Sequence, residues 1–175
     1  SIANARENLL AEAPAGTGFD AVKARATQTW EATLGRAEIS GGTADQKEIF
    51  YTALYRSLLM PTQFSDVNGE YPGFDGLTHV ANGFTYYTNM SLWDTFRTTH
   101  PLFNLVARQE QSDMIVSLTK MAEQGGGYLP RWPCAAGYSN AMLGASADIV
   151  ISESYQKGVR GFDVNAAYTA MVLGA

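Results

Sequence analysis

The sequence has a single cysteine, Cys134, among 175 residues. An internal disulfide framework is therefore excluded, and one cysteine with two separated histidines does not make the ligand set of a structural zinc site. Basic residues are also scarce: 12 Lys and Arg against 17 Asp and Glu give a net charge of −5 and a pI near 4.9. This balance provides no basic surface for phosphates, which argues against a nucleic-acid partner.

Long apolar runs are missing as well. No stretch approaches the length of a membrane span, so we expect no membrane partner. Residues 1–8 lack the basic and apolar segments of a signal peptide. The hydrophobic content of 46% and the charged content of 17% are typical of a globular chain, and the length suits one domain.

What the sequence does contain is helical periodicity. Apolar residues recur every three or four positions in most segments, which predicts a mainly α fold of about six helices. Thr43 and Gln46 form a capping-box pattern at one helix start, and Asp163 is a natural N-cap for the last helix. Helix-ending signals follow the periodic segments at Pro14, Gly35, Pro61, Gly125 and Gly158.

Residues 62–90 break this pattern. Asn68-Gly69 and Asp75-Gly76 are turn dipeptides between short aromatic or β-branched pieces, so we predict one or two short β-hairpins in a long loop rich in Tyr and Phe. A long loop of this kind is usually functional. The later stretch 128–137 is predicted to be irregular, with strands confined to the first loop.

The most informative stretch is 84–103. Ser91 is predicted to cap a helix that runs to about Val106, with Trp93, Asp94 and Arg97 in its first turns. Asp94 and Arg97 are three apart and are expected to pair. A carboxylate beside an aromatic ring suits a polyhydroxyl ligand, because the ring covers the C–H face of a sugar. The alternative to a ligand site is that the aromatic residues form an ordinary core-facing helix surface. Asp94 then only interacts favourably with the dipole at the helix N-terminus.

Six short sequence motifs occur one after another along the chain. Their order is more informative than any single motif. They are Phe50-Tyr51-Thr52-Ala53-Leu54-Tyr55, Ser65-Asp66-Val67-Asn68-Gly69, Gly73-Phe74-Asp75-Gly76, Ser91-Leu92-Trp93-Asp94-Thr95-Phe96-Arg97, Glu123-Gln124-Gly125-Gly126 and Leu129-Pro130-Arg131-Trp132. Together they resemble glycoside hydrolase family 92 over essentially the whole chain. The family consists of calcium-dependent exo-α-mannosidases that invert the anomeric centre.

The resemblance implies a fold and a context. The family's catalytic domain is an (α/α)6 toroid, of which 175 residues supply about half. Residues 1–175 are therefore expected to be a partial catalytic domain, a fragment of a larger secreted or periplasmic chain. The acid, the base and the calcium ligands are expected outside this chain, so we assign no catalytic residue and no metal ligand here. The expected partners are a mannose-containing glycan and the remaining parts of the parent chain.

The resemblance also assigns site residues. Asp94 matches the family's sugar-contacting Asp, Trp93 lies beside it, and Arg97 is expected to support Asp94 through a bidentate pair. Trp132 lies in a loop that is expected at the rim of the site. It is predicted either to stack on the sugar or to be buried and hold this proline-flanked loop in place. The carboxylates of Glu123, Asp148 and Glu153 are interpreted as ordinary solvated helix charges.

Three positions depart from the family pattern. Tyr138 stands where many members have an acid or another polar residue, and Ala145-Ser146 stand where the family often has Asp-His. These departures leave an alternative open: a non-catalytic carbohydrate-binding or interaction protein derived from a degenerate toroid. A toroid hydrolase that acts on other glycosides is a third possibility, against which the ordered blocks count.

Overall fold

The computed structural model describes residues 1–175 and divides them into two compact units, Ser1–Leu59 and Met60–Ala175. Eight helices account for most of the regular structure, and each of the six strands has only two or three residues. The predicted mainly α class is therefore confirmed. No helix combines the length and the apolar composition that crossing a membrane requires.

The first unit is made of three helices: α1 (Ile2–Glu12), α2 (Phe19–Leu34) and α3 (Ala44–Ser57). Helices α2 and α3 pack together, with the rings of Trp30 and Tyr55 4.5 Å apart. The predicted capping box opens α3, because Thr43 and Gln46 each accept the other's backbone N–H with a side-chain oxygen. Local sequence signals thus place the helix boundaries of this unit.

The second unit begins with the long loop and its four strands: β1 (Thr62–Gln63), β2 (Glu70–Pro72), β3 (Thr78–Val80) and β4 (Tyr87–Thr88). Strands β2 and β3 form an antiparallel hairpin in which Tyr71 lies opposite His79. Asp75 and Gly76 lie in its turn, as predicted. Strand β1 pairs with β4, which joins the two ends of the loop.

Five helices complete the second unit: α4 (Leu92–Thr95), α5 (Thr99–Val106), α6 (Arg108–Gln124), α7 (Ser146–Gln156) and α8 (Val164–Gly174). Helix α6 packs against α5, α7, α8 and β4, and its residues Ile115, Leu118 and Met121 are fully buried. The predicted cap of α8 is present, with Asp163 accepting two backbone N–H groups. Helix α6 is therefore the framework on which the rest of the unit is arranged.

The single helix predicted from Ser91 to Val106 is wrong. The structure has two helices, because α4 ends at Thr95 and α5 starts at Thr99. The cause is Pro101: inside one continuous helix its ring would clash with the carbonyl of Arg97 and its missing N–H would break the ladder. After the break, Pro101 lies in the first turn of α5, where prolines are tolerated. This split accounts for one of the helices by which the eight observed exceed the predicted number of about six.

The stretch 128–137 was predicted to be irregular, with all strands in the first loop. This prediction is wrong in part, because the stretch contains a strand of a second hairpin. Strands β5 (Pro133–Cys134) and β6 (Gly137–Tyr138) form a tight antiparallel hairpin. Its turn uses Ala135 at φ 49°, a conformation that alanine rarely adopts. No Asn-Gly or Asp-Gly signal marks this turn, so it has no local signature.

Candidate functional site

The segment that leads to Trp93 is held against α6 by two side chains. The Oδ2 atom of Asp113 accepts the N–H of Thr85 at 3.0 Å, and the Oγ atom of Ser117 accepts the N–H of Tyr87 at 2.9 Å. Between these residues, Tyr86 is fully buried and stacks on Tyr71 with ring centroids 3.8 Å apart. The aromatic content of the loop therefore serves to pack it on α6.

Asp113 has a structural role that its place near the start of a helix does not indicate. Its carboxylate is buried and bonds both the Thr85 N–H and the Gln109 side-chain amide. Burial raises the pKa of Asp113, although both hydrogen bonds act in the opposite direction. The two donors therefore offset only part of the desolvation of this carboxylate.

Trp93 and Asp94 both lie on the surface of α4. The Trp93 side chain is 39% exposed, so it is not the core residue of the alternative interpretation. Asp94 is exposed, and its Oδ2 atom accepts a hydrogen bond from the Ser91 hydroxyl. Ser91 does not cap the helix with its side chain, contrary to the prediction. The second carboxylate oxygen of Asp94 is left for another donor.

Arg97 does not form the expected pair with Asp94. Its guanidinium lies over the rings of Trp93 and Phe96, at 4.8 and 4.5 Å from their centroids. The physical reason is the end of α4 at Thr95, because the three-residue spacing brings side chains together only within a continuous helix. Arg97 therefore contacts Trp93 and not the carboxylate.

Trp132 precedes the β5–β6 hairpin and is half-buried between the buried prolines Pro130 and Pro133. It lies in the wall of two cavities. The smaller, about 130 Å³, also includes Ser91 and Thr95, which flank Trp93 and Asp94 in sequence. The larger, about 630 Å³, includes Tyr138 and the start of α7. Trp93 and Asp94 line neither cavity.

Tyr138 has a structural role. Its hydroxyl accepts the N–H of Gly126 at 3.2 Å and lies within hydrogen-bond distance of the carbonyls of Met121 and Tyr128. Its ring stacks on Tyr128 at 4.9 Å. Burial raises the pKa of Tyr138 further above neutral pH. This residue ties the end of α6 to the β5–β6 hairpin.

The three carboxylates interpreted as solvated charges differ in the structure. Glu123 and Glu153 pair with lysines one turn away, at 2.6 Å in each case. Asp148 instead lines the large cavity together with Ala145 and Ser146. It is half-buried, and burial raises its pKa. Asp148 is therefore a partly buried charge that lines a cavity, whereas Glu123 and Glu153 are ion-paired.

The acidic residues do not fit a calcium site by themselves. Calcium takes six to eight oxygen ligands, usually with several carboxylates among them. Residues 1–175 bring no three His, Cys, Asp or Glu side chains together in a group that would hold a metal.

Comparison with known families decides the relationship. The sequence matches the glycosyl hydrolase family 92 catalytic domain over residues 4–175. The chain belongs to glycosyl hydrolase family 92.

Solved structures of family 92 members have the same fold. The family GH92 alpha-mannosidase BT3965 from Bacteroides thetaiotaomicron is 34% identical, with a TM-score of 0.92 over 99% of this chain and 23% of that one. The family GH92 inverting mannosidase BT2199 from Bacteroides thetaiotaomicron VPI-5482 is 30% identical, with a TM-score of 0.90 over 98% and 23%. A search among curated proteins gave no match.

The family 92 match confirms the predicted fold class, a mainly α part of a helical toroid. The chain spans less than a quarter of the length of these solved relatives. It contains the motif residues Trp93, Asp94 and Trp132 in the places described above. Their roles toward a sugar are taken up as proposals below.

Proposed function

We propose that this chain is part of an inverting exo-α-mannosidase that hydrolyses α-mannosides of glycans, and that it supplies part of the sugar subsite. The observation that carries the proposal is the exposed pair Trp93 and Asp94 on α4 of a family 92 chain. BT3965 has been solved with the ligand mannoimidazole, and BT2199 is described as an inverting mannosidase. Both are similar to this chain over nearly all of its length.

The geometry of Asp94 suits a sugar hydroxyl. One carboxylate oxygen is occupied by the Ser91 hydroxyl, which fixes the group's orientation. The other oxygen accepts a hydroxyl of mannose, while the exposed ring of Trp93 covers the C–H face of the sugar. Arg97 supports the site by packing on Trp93. In this proposal Asp94 binds substrate and transfers no proton.

Inversion needs an acid and a base on opposite faces of the sugar, about 6.5–9.5 Å apart. We assign neither role to a residue of this chain, and we propose that both come from the remainder of the parent chain. The calcium ion of the family is proposed to be held there as well. On this view the 175-residue chain alone is catalytically silent. The parent is proposed to be secreted or periplasmic.

Ala145 and Ser146 favour a second candidate, a non-catalytic carbohydrate-binding protein. Both residues line the large cavity, and both stand where the family often has more polar side chains. A protein that binds mannosides without hydrolysing them would fit this candidate. Calcium-dependent hydrolysis by the full-length parent would exclude it.

The test is an assay of the full-length parent on aryl α-mannosides and a panel of other aryl glycosides, with and without a chelator. We expect α-mannoside hydrolysis with inversion, read from the anomer of the first product by NMR. Asp94→Asn should lower kcat/KM about 10- to 100-fold, the loss for one hydrogen bond to a charged acceptor. Asp66→Asn, an exposed loop aspartate, is the matched control. Unchanged kcat/KM in Asp94→Asn would exclude the subsite.

A further inference from the structure

Asn89 lies in the segment that leads into α4, and its side chain bonds two other parts of the second unit. Its Oδ1 atom accepts the N–H of Ala135 at 3.0 Å, and its Nδ2 atom donates to Thr62 Oγ1 at 3.0 Å. Thr62 belongs to β1, which pairs with β4 directly before Asn89. The amide group therefore connects the paired strands β1 and β4 to the turn of the β5–β6 hairpin.

The turn residue Ala135 is held at both of its polar backbone groups. Its N–H donates to Asn89, and its carbonyl accepts the hydroxyl of Thr88 at 2.6 Å. Ala135 has φ 49°, a left-handed conformation that persists where the surrounding structure holds it. Asn89 has φ 58° and is a residue type that adopts this conformation more readily. Two adjacent residues thus hold the tip of the hairpin, and we call their two bonds to Ala135 the Ala135 clamp.

The hairpin that the clamp holds begins directly after Trp132. The Trp132 carbonyl accepts the hydroxyl of Ser139 at 2.7 Å and its N–H at 3.3 Å, which closes the base of the hairpin. Only two residue pairs separate this base from the tip. Trp132 also lines the small cavity together with Asn89 and Ser91. The clamp therefore sets the position of Trp132 relative to the start of α4.

We propose that Asn89 is a positioning residue of the mannoside site. Through the Ala135 clamp it fixes Trp132 against α4, the helix that carries the other proposed sugar contacts. The inference rests on the proposed function and gives Trp132 the first of its two predicted roles, stacking on the sugar. Asn89 itself is given no sugar contact, since its side-chain oxygen and nitrogen are both engaged by protein groups. Its loss displaces the Trp132 ring and so weakens binding of the sugar.

The test measures KM and kcat of the full-length parent on an aryl α-mannoside. Asn89→Gly removes both side-chain bonds and still permits the left-handed backbone. KM should rise about three- to tenfold, as for one weakened aromatic contact, and kcat should change less than about twofold. Asn89→Asp keeps an acceptor for the Ala135 N–H and should restore KM to within about twofold of the parent. Asn82→Gly, the same change at an exposed asparagine of the same loop, is the matched control and should leave KM unchanged.

A double-mutant cycle shows whether Asn89 acts through Trp132. Trp132→Ala alone should lower kcat/KM. Asn89→Gly added to it should lower kcat/KM further by less than about twofold, because the ring that the clamp positions is gone. Two losses that multiply would overturn the inference, and so would an unchanged kcat/KM in Trp132→Ala.

A purely structural Asn89 would give a different result. Asn89→Gly would then lower the thermal midpoint and leave KM unchanged at temperatures where the variant is folded, which overturns the inference. If Asn89→Gly does not fold, Thr88→Val removes the other bond of the clamp and should raise KM in the same way. A lowered kcat/KM in Asp94→Asn with unchanged KM in the clamp variants would overturn this inference and leave the proposed function standing. Absence of mannoside hydrolysis in the unmodified parent would overturn both.

Discussion

The side-chain oxygen of Asn89 accepts the backbone N–H of Ala135 at 3.0 Å, across 46 residues of sequence. The amide nitrogen of the same side chain donates to Thr62 Oγ1 at 3.0 Å. Thr88, the preceding residue, donates to the Ala135 carbonyl at 2.6 Å. The segment before α4 and the hairpin after Trp132 are therefore one connected structure, although they are distant in sequence.

Asn89→Ala should destabilise this connection. The substitution removes two hydrogen bonds and places alanine at φ 58°, so we expect a loss of about 2–3 kcal/mol in the free energy of unfolding. Asn89→Gly tolerates the backbone conformation and should lose less. Urea unfolding measures both, with the exposed Asn82→Ala as control. Equal stability of Asn89→Ala and the control would contradict the role of this residue.

The position of Arg97 gives a second prediction. Its guanidinium packs on Trp93 and Phe96, so a double-mutant cycle between Arg97→Ala and Trp93→Leu should give a coupling energy of about 0.5–1 kcal/mol, typical of exposed cation–π contacts. The cycle between Arg97→Ala and Asp94→Asn should give a coupling near zero. Unfolding free energies provide both values. A larger coupling to Asp94 than to Trp93 would restore the ion pair expected from sequence.

Local signals in the sequence predict local structure well. The capping box of Thr43 and Gln46 and the N-cap at Asp163 are made by residues two or three apart, so the pattern contains all the partners. The hairpin turn at Asp75-Gly76 is another local case. Pro101 also carries a local signal. Because proline strongly destabilises the interior of a helix, it indicates the break between α4 and α5.

The remaining features depend on distant partners. Asp113 holds Thr85 across 28 residues, and the turn at Ala135 is held by Thr88 and Asn89. Neither the burial of Asp113 nor the left-handed Ala135 has a signature in its own neighbourhood. The same holds for Asp148, since only the fold shows that a cavity lies beside it. The motif alone indicates Trp93 and Asp94 as the proposed sugar contacts, and the structure adds their exposure and the contact of Trp93 with Arg97.

The turn at the end of α6 gives a third prediction. A Cβ atom on Gly125 would lie 2.5 Å from the Tyr138 hydroxyl and 2.8 Å from the Met121 carbonyl. Gly125→Ala should therefore cost about 1–3 kcal/mol of stability, as for other overpacked sites. Gly137→Ala is the matched control, because a Cβ there meets nothing within 4 Å. A midpoint of urea unfolding that is the same for the two variants would show that Tyr138 does not constrain the turn.

The last prediction concerns His100, which is buried in α5. Its Nδ1 atom lies 2.8 Å from Gln111 Oε1, and Gln111 donates in turn to Ser154 at 2.9 Å. Burial lowers the pKa of His100, although the contact with Gln111 opposes this effect. The unfolded chain therefore takes up a proton at a higher pH than the folded chain does. Stability is complete above the ordinary histidine pKa of about 6.5 and falls as the pH drops toward the lowered folded value.

Between pH 7.5 and 5.5 this group should remove up to about 1.4 kcal/mol from the free energy of unfolding, the worth of one pKa unit. Urea unfolding at the two pH values measures the change, and His100→Asn isolates the contribution by its difference from the unmodified chain. His79→Asn is the control, because His79 lies at the surface in the β2–β3 hairpin beside Asp75. If His100→Asn keeps the full pH dependence while His79→Asn reduces it, the buried histidine is not the responsible group.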